Sequence, residues 1–405
     1  MQTQLSPEFH NTPTGQEAEA ILRSCVHCGF CLATCPTYQL LGNELDSPRG
    51  RIYLIKQVLE GQPASAKTQL HLDRCLTCRN CETTCPSGVQ YGHLLDIGRA
   101  IVERQVGRTP WRYAQRVALK AVLPYPRRFT PLLRLGQSVR PLLPLGKIPA
   151  RSPTPPAVNP PADADTTLLL LTGCVQDALA PTINAAATRL LGALGIRCIP
   201  ADGCCGAVSF HLNFQAEGRA TMQANVQRWQ AQLDAGASGI ISTASGCGVT
   251  VKEYGHLLQT DAARQIASVT QDLAEVVAAR QQRLVPLLKP LAQAIKVAWH
   301  PPCTLQHGQK LRGVVESLLT QAGYTLVPVT DAHLCCGSAG TYALLQPQLA
   351  TALQQRKLAH LQAHDPAVIV TANIGCLTHL QSGTARPVRH WVELLAERLT
   401  EKAES

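Results

Sequence analysis

No apolar run in this 405-residue chain is long enough to cross a bilayer. The longest, such as Thr167 to Thr172, fall far short of the roughly 20 residues a spanning helix needs. The stretch from Met1 to Thr14 is polar and has no apolar run after a basic start, so no export signal is expected. These absences predict a soluble, cytoplasmic chain whose thiols stay reduced instead of pairing as disulfides. A Ser/His/Asp pattern, a phosphate-binding glycine loop and paired carboxylates are also missing, which leaves the chain no organic catalytic group of its own. Aromatic residues make up only 4%. Between Arg104 and Ala162 there is no Asp or Glu at all, while eleven Lys and Arg fall there. Those eleven exceed the whole net charge of +10, so the rest of the chain is near neutral (10 − 11 = −1). A basic character confined to one segment, without a DNA-binding element, argues against a nucleic-acid partner.

Cysteine is what the chain has in quantity, with 17 residues. Cys25, Cys28, Cys31 and Cys35, then Pro36, form one string; Cys75, Cys78, Cys81 and Cys85, then Pro86, repeat it 50 residues later (75 − 25). Both read C-x2-C-x2-C-x3-C-P, the spacing of bacterial two-cluster ferredoxins, in which the fourth cysteine of each string ligates the other string's cluster. Three thiolates on a tight loop can grip three irons of one cube, and the fourth, past the turn, points to the neighbour. The proline has no N–H to satisfy. The crossed assignment puts Cys25, Cys28, Cys31 and Cys85 on one [4Fe–4S] cluster and Cys75, Cys78, Cys81 and Cys35 on the other. Zinc is the competing reading of C-x2-C pairs, but it uses four ligands in two pairs and gives no reason for this doubled string.

A second duplication fills the C-terminal half. Cys174, Cys204, Cys205 and Cys247 are matched by Cys303, Cys335, Cys336 and Cys376, at offsets of 129, 131 and 129 (303 − 174, 335 − 204, 376 − 247). Each pair is followed by glycine, Gly206 or Gly337. Short β-like runs end in small-residue turns that present these cysteines, including Ile240 to Cys247 (IISTASGC) and Val368 to Cys376 (VIVTANIGC), with helical patterns between them. The spacing predicts an α/β unit per half, with the cysteines at strand ends, where ligand sites gather. The predicted architecture is α+β: an α-helical two-cluster domain over 1–105, a basic, Pro-rich connector over 106–165, and repeated units over 166–290 and 291–397. Cys198, outside both repeats, is expected to be a buried small hydrophobe.

These strings closely resemble the iron–sulfur subunits of glycolate oxidase, through CVHCGFCLATCPTYQLLG, CLTCRNCETTCPSGV, HLCCGSAGTYAL and TANIGC. They are similar also to the C subunit of anaerobic glycerol-3-phosphate dehydrogenase, the lactate-utilisation iron–sulfur proteins and heterodisulfide reductase subunits. The resemblance implies two [4Fe–4S] clusters, FAD-containing partner subunits that oxidise glycolate to glyoxylate, and a membrane-linked acceptor such as quinone. It implies a place on the inner face of the cytoplasmic membrane. One departure matters. In heterodisulfide reductase relatives each CCG unit ends in C-x2-C, whereas Cys247 is followed by Thr250 and Cys376 by His379. Each half thus offers four cysteines, enough for a further cluster or for a thiol-rich site. The alternative function is a CCG half that is itself a quinone or disulfide reductase, in another 2-hydroxy acid or glycerol-3-phosphate dehydrogenase complex.

Two expectations remain open on sequence. Trp111 to Val122 could form a helix with Arg112, Arg116 and Lys120 on one face, after which Pro124, Pro126, Pro131, Pro141 and Pro144 break any long helix. This leucine-studded basic segment is either a connector or a surface that meets a partner or phospholipid headgroups. Among the histidines, His27 sits inside the first string, His300, His307 and His333 lie near second-half cysteines, and His379 occupies the place of the missing fifth cysteine.

Overall fold

The computed structural model describes residues 1–139, 149, 152–155 and 163–400. The expectations for Pro141 and Pro144, and the linker reading of 151–165 apart from 152–155 and 163–165, lie outside the described residues.

The N-terminal part is helical because its segments carry start signals and an apolar stripe. Helices Pro13–Ser24 and Pro48–Leu59 each place proline in the first turn. Each also has a hydroxyl cap: Thr12 Oγ1 accepts from Gly15 N–H and Ser47 Oγ from Gly50 N–H, both at 3.0 Å. Helices Ala66–Asp73 and Tyr91–Val106 complete the bundle. Ile21, Leu22, Ile55, Leu59, Leu72, Leu94 and Leu95 form its core. Gly98 lets two of these helices touch, since a Cβ there would stand 2.6 Å from Ile55. The cysteine strings occupy the loops at one end of this bundle.

Two four-stranded, all-parallel sheets follow. The first comprises β1 (Thr166–Leu171), β2 (Ile196–Ala201), β3 (Gly239–Ser242) and β4 (Thr270–Asp272), in the order β2-β1-β3-β4. The second comprises β5 (Lys296–Trp299), β6 (Thr325–Leu326), β7 (Val368–Thr371) and β8 (Val388–His390), in the order β6-β5-β7-β8. The same order in both reflects the duplication. The central strands read as unbroken apolar runs because both faces are covered. Alternation then decides which neighbour each residue meets. Leu168 and Leu170 of β1, with Val297 and Trp299 of β5 and Val368 and Val370 of β7, enter one core common to both units. Leu169 and Leu171 face a separate core, as do Ala298 and Ile369.

Three local differences from the sequence reading have physical causes. β3 and β7 stop before Cys247 and Cys376 as expected, but in place of a simple turn the cysteines ride in the first turns of helices Ser245–Lys252 and Ile374–Gln381. Pro131 does not break the chain; it lies inside helix Pro126–Val139. Its missing donor would have served the carbonyl of exposed Arg127 in the first turn, where water can substitute. Helix Pro110–Val122 forms, but its cationic face turns partly inward. Arg116 is buried and donates to Leu212 O and Asp73, while Lys120 pairs with Glu217 and lies over the Phe214 ring.

Candidate iron–sulfur site

Both strings adopt the same loop. Left-handed backbone occurs at His27 and Gly29 in the first and at Thr77 and Arg79 in the second, on either side of the middle cysteine. Three of these four residues are not glycine, so the turns are held against local strain. The loops leave two cavities, about 430 and 310 Å³ including their mouths. Cys25, Cys28, Cys31 and Cys85 line the larger, and Cys35, Cys75 and Cys78 the smaller; Cys81 forms a wall of both. Each cavity thus has three thiols of one string and the fourth of the other at its edge. His27 lines the first cavity but is exposed, 6.4 Å from the Tyr53 ring.

The smaller cavity carries the polar chemistry. Tyr91 Oη donates to Cys75 Sγ at 3.6 Å and the Thr77 N–H does so at 3.4 Å. Thr37 Oγ1 lies 3.3 Å from Cys35 Sγ, and Arg51 Nη1 4.0 Å. Arg51 is fully buried beside Asp46, which also meets His71 and Arg74. Burial opposes the guanidinium charge, but Cys75, Tyr91, Cys35 and Asp46 more than restore it, so its pKa stands above the ordinary value. Burial pushes the Cys31 thiol up to about 11 and raises Cys35 and Cys81 as well. Without a cation these thiols hold their protons, whereas metal ligation removes them. Thiols around a cavity with donors aimed at sulfur fit an iron–sulfur cluster.

The C-terminal thiols are packed differently. In the first unit Cys174, Cys204, Cys205 and Cys247 form a chain of sulfur hydrogen bonds. Cys204 is the sulfur that favours the thiolate, because Cys174 and Cys205 donate to it and Gly206 N–H approaches at 3.4 Å. In the second unit the chain runs Cys303, Cys335, Cys336, Cys376. The glycine of each CCG is structurally required. Gly206 and Gly337 have φ of +88° and +92°, and a Cβ would meet Gly218 O at 2.9 Å or Ala350 O at 2.6 Å. Cys198 lies in β2 against the apolar core, its thiol pushed up to about 12 by burial.

Sequence reasoning missed how the parts meet. Cys303 is in hydrogen-bond contact with Cys78 of the second string as well as with Cys335. Around that contact Leu76, Cys303, Cys335, Tyr342 and Leu353 form a small apolar cluster. Tyr342 Oη donates to Arg74 O at 3.2 Å, and Asn80 Nδ2 to His333 O at 3.2 Å. His307 Nδ1 sits 3.0 Å from Thr83 Oγ1. Arg79 pairs at 2.6 Å with Glu253 of the first unit, which His93 also contacts. Burial opposes the Glu253 charge, yet these partners hold the carboxyl down to about 2. None of the contacts from the cysteine strings' domain to the CCG units has a sequence signal, because each joins residues more than 100 positions apart. His379 Nε2 lies 3.3 Å from Ala350 O. His300 is the histidine grouped with Cys336 and Cys376, and burial holds its pKa well below the usual value.

Residues 21–89 match the 4Fe-4S dicluster domain, and residues 168–252 and 297–381 match the cysteine-rich CCG domain. The chain is 52% identical to the glycolate oxidase iron-sulfur subunit of Escherichia coli, over 98% of this chain and 99% of that one. It is 30% identical to the probable glycolate oxidase iron-sulfur subunit of Bacillus subtilis, over 91% and 90%. Lactate utilization protein A of Geobacillus kaustophilus is 27% identical over 56% of this chain and 98% of its own. Fold and site therefore define an iron–sulfur electron-transfer subunit of α+β architecture, helical at its N-terminus, with duplicated CCG units. The chain belongs to the family of glycolate oxidase iron–sulfur subunits.

Proposed function

We propose that this chain accepts electrons from a flavin-containing partner subunit that oxidises glycolate to glyoxylate, and passes them toward a membrane acceptor such as quinone. Cys25, Cys28, Cys31 and Cys85 would hold one [4Fe–4S] cluster, and Cys75, Cys78, Cys81 and Cys35 the other. The groups supply one-electron transfer when bound. The residues around them set potential and path. Arg51, Tyr91 and Thr37 place positive charge and donors beside the Cys35 and Cys75 sulfurs, which favours the reduced state. The contact between Cys78 and Cys303 carries the reading, because it joins the N-terminal sulfur set to the second CCG unit without an intervening side chain. Glycolate itself would bind the flavoprotein, and this chain would carry only the electrons. In the complex, glycolate is expected to bleach the iron–sulfur absorption within turnover time; the isolated chain is expected to bleach with dithionite but not with glycolate. Glycolate oxidation by the isolated chain, or no bleaching in the complex, would refute the proposal.

The membrane contact would lie on helix Pro126–Val139. No helix among the described residues is long and apolar enough to span a bilayer. Trp111, Tyr113, Tyr125, Leu132 and Leu135 nevertheless stand exposed on this helix and the preceding segment. Arg127 and Arg134 are exposed there too, while Arg116 is committed to the protein interior. Large apolar side chains beside exposed arginines suit the interface of an anionic bilayer. Changing Arg127 and Arg134 to Gln should weaken binding to phosphatidylglycerol vesicles by about 2 kcal/mol, roughly thirtyfold at low salt. Binding equal to wild type in a flotation assay would make this segment a plain connector.

A further inference from the structure

His300 is out of place by the rules that govern buried polar groups. It follows β5 and is 1% exposed, and neither Nδ1 nor Nε2 has a hydrogen-bond partner among the described residues. An imidazole so desolvated and unpaired is costly to keep. The duplication sharpens the point. His300 stands three residues before Cys303, and the residue three before Cys174 is Leu171, which is buried in an apolar core. The second unit has thus put a two-nitrogen ring where the first has an ordinary hydrophobe.

The ring nitrogen has metal-ligating neighbours. The ligand atoms of His300, Cys336 and Cys376 all lie within 4.8 Å of one another, and all three residues are buried. Such separations suit a single metal at about 2.0 Å from nitrogen and 2.3 Å from sulfur. A buried cation stands by: Lys357 is 2% exposed, its Nζ donates to the carbonyls of Asp331 and Ala332, and Cys303, Cys336 and Cys335 act on its charge. An ammonium whose hydrogen bonds go to neutral carbonyls balances the negative charge that thiolates would bring. The first unit's sulfur chain has no histidine grouped with it among the described residues.

We propose that His300 is a nitrogen ligand to a thiophilic transition metal held with the Cys336 and Cys376 thiolates. The second CCG unit thereby carries a mixed imidazole–thiolate centre. Zinc and an iron of an iron–sulfur cluster share this ligand chemistry. Replacing a thiolate by a neutral imidazole makes a centre less negative; at iron that raises its reduction potential. The inference deepens the proposed function, resting on its view of the second unit as the place electrons reach, and the test separates the two.

The experiment uses the full chain, purified anaerobically with 15N-histidine, as wild type and as His300→Leu, the residue the first unit carries at that position. Metal content is measured, with pulsed EPR for nitrogen coupling at iron and X-ray absorption for a nitrogen scatterer at zinc. Wild type is expected to show histidine nitrogen at one centre, read by EPR if it is iron and by absorption if it is zinc. His300→Leu should lose that nitrogen signal, and with it the metal of one centre, while keeping about eight irons on the N-terminal strings. Sulfur-only ligation at every centre of wild type, or a histidine signal unchanged in His300→Leu, overturns the proposal. So does wild type whose metal is fully accounted for by those eight irons, a result that leaves the N-terminal reading standing. Should His300→Leu fail to fold, His300→Cys is the second variant: retained metal with loss of the nitrogen signal supports ligation, and retention of both overturns it.

Discussion

Cys85→Ala is expected to erase the EPR signal of the centre walled by Cys25, Cys28 and Cys31, and to cut iron from about eight per chain to about four. The same loss should follow Cys25→Ala, although the two residues lie in different strings. Cys35→Ala is expected to erase the other signal, in company with Cys75→Ala. The reason is positional. Cys85 opens onto the cavity of the first string, and Cys35 onto that of Cys75, Cys78 and Cys81. If each string instead closed its own cluster, Cys85→Ala and Cys75→Ala would remove one and the same signal. The measurement is redox titration of both signals in all four variants. Pairing of Cys85 with Cys75 would sink the crossed arrangement. Cys81 is the informative fifth variant because it borders both cavities. It should follow Cys75, three and six residues along the same loop from Cys78 and Cys75.

What the sequence made legible was whatever chemistry writes at short range. The two strings are local loops, and ligand spacing alone dictates their residues. The repeated offsets made the duplicated units visible, and apolar runs such as Leu168–Leu171 and Val368–Val370 marked the buried parallel strands. What stayed hidden is nonlocal or costs little in pattern. Two-residue β6 and three-residue β4 and β8 are too short for a periodicity. The thiol contact from Cys78 to Cys303 depends on how the helical part seats on the second unit. His300 gave no motif signal, yet the fold groups it with Cys336 and Cys376 just past the end of β5. Pro131 shows the limit of a breaker rule, since an exposed first turn tolerates the lost bond.

Arg51→Met is expected to cost about 3 kcal/mol of stability and to lower the reduction potential read at the Cys35 site, leaving the other potential in place. Nothing in the sequence RGRIYLIKQVL distinguishes Arg51 from its neighbours, yet it is 0% exposed. Its Nε donates to His71 O at 2.7 Å, and its Nη2 to Thr37 Oγ1 at 3.1 Å and Asp46 Oδ1 at 3.5 Å. Breaking a buried pair generally costs about 3–5 kcal/mol because the abandoned charge stays buried. Asp46 keeps His71 and Arg74, each at 3.0 Å, so the lower end applies. The redox effect has a definite sign. A positive charge beside sulfur stabilises the more negative, reduced state, and removing it makes reduction harder. Arg51→Lys separates the two effects: it keeps the charge but loses the fork that reaches four acceptors, Cys35 Sγ among them, so stability should fall while the potential stays closer to wild type. Anaerobic urea unfolding and potentiometric EPR read the pair. A potential unmoved in Arg51→Met would mean that the guanidinium serves packing alone, and that the cavity's electrostatics come from the Tyr91 and Thr37 hydroxyls.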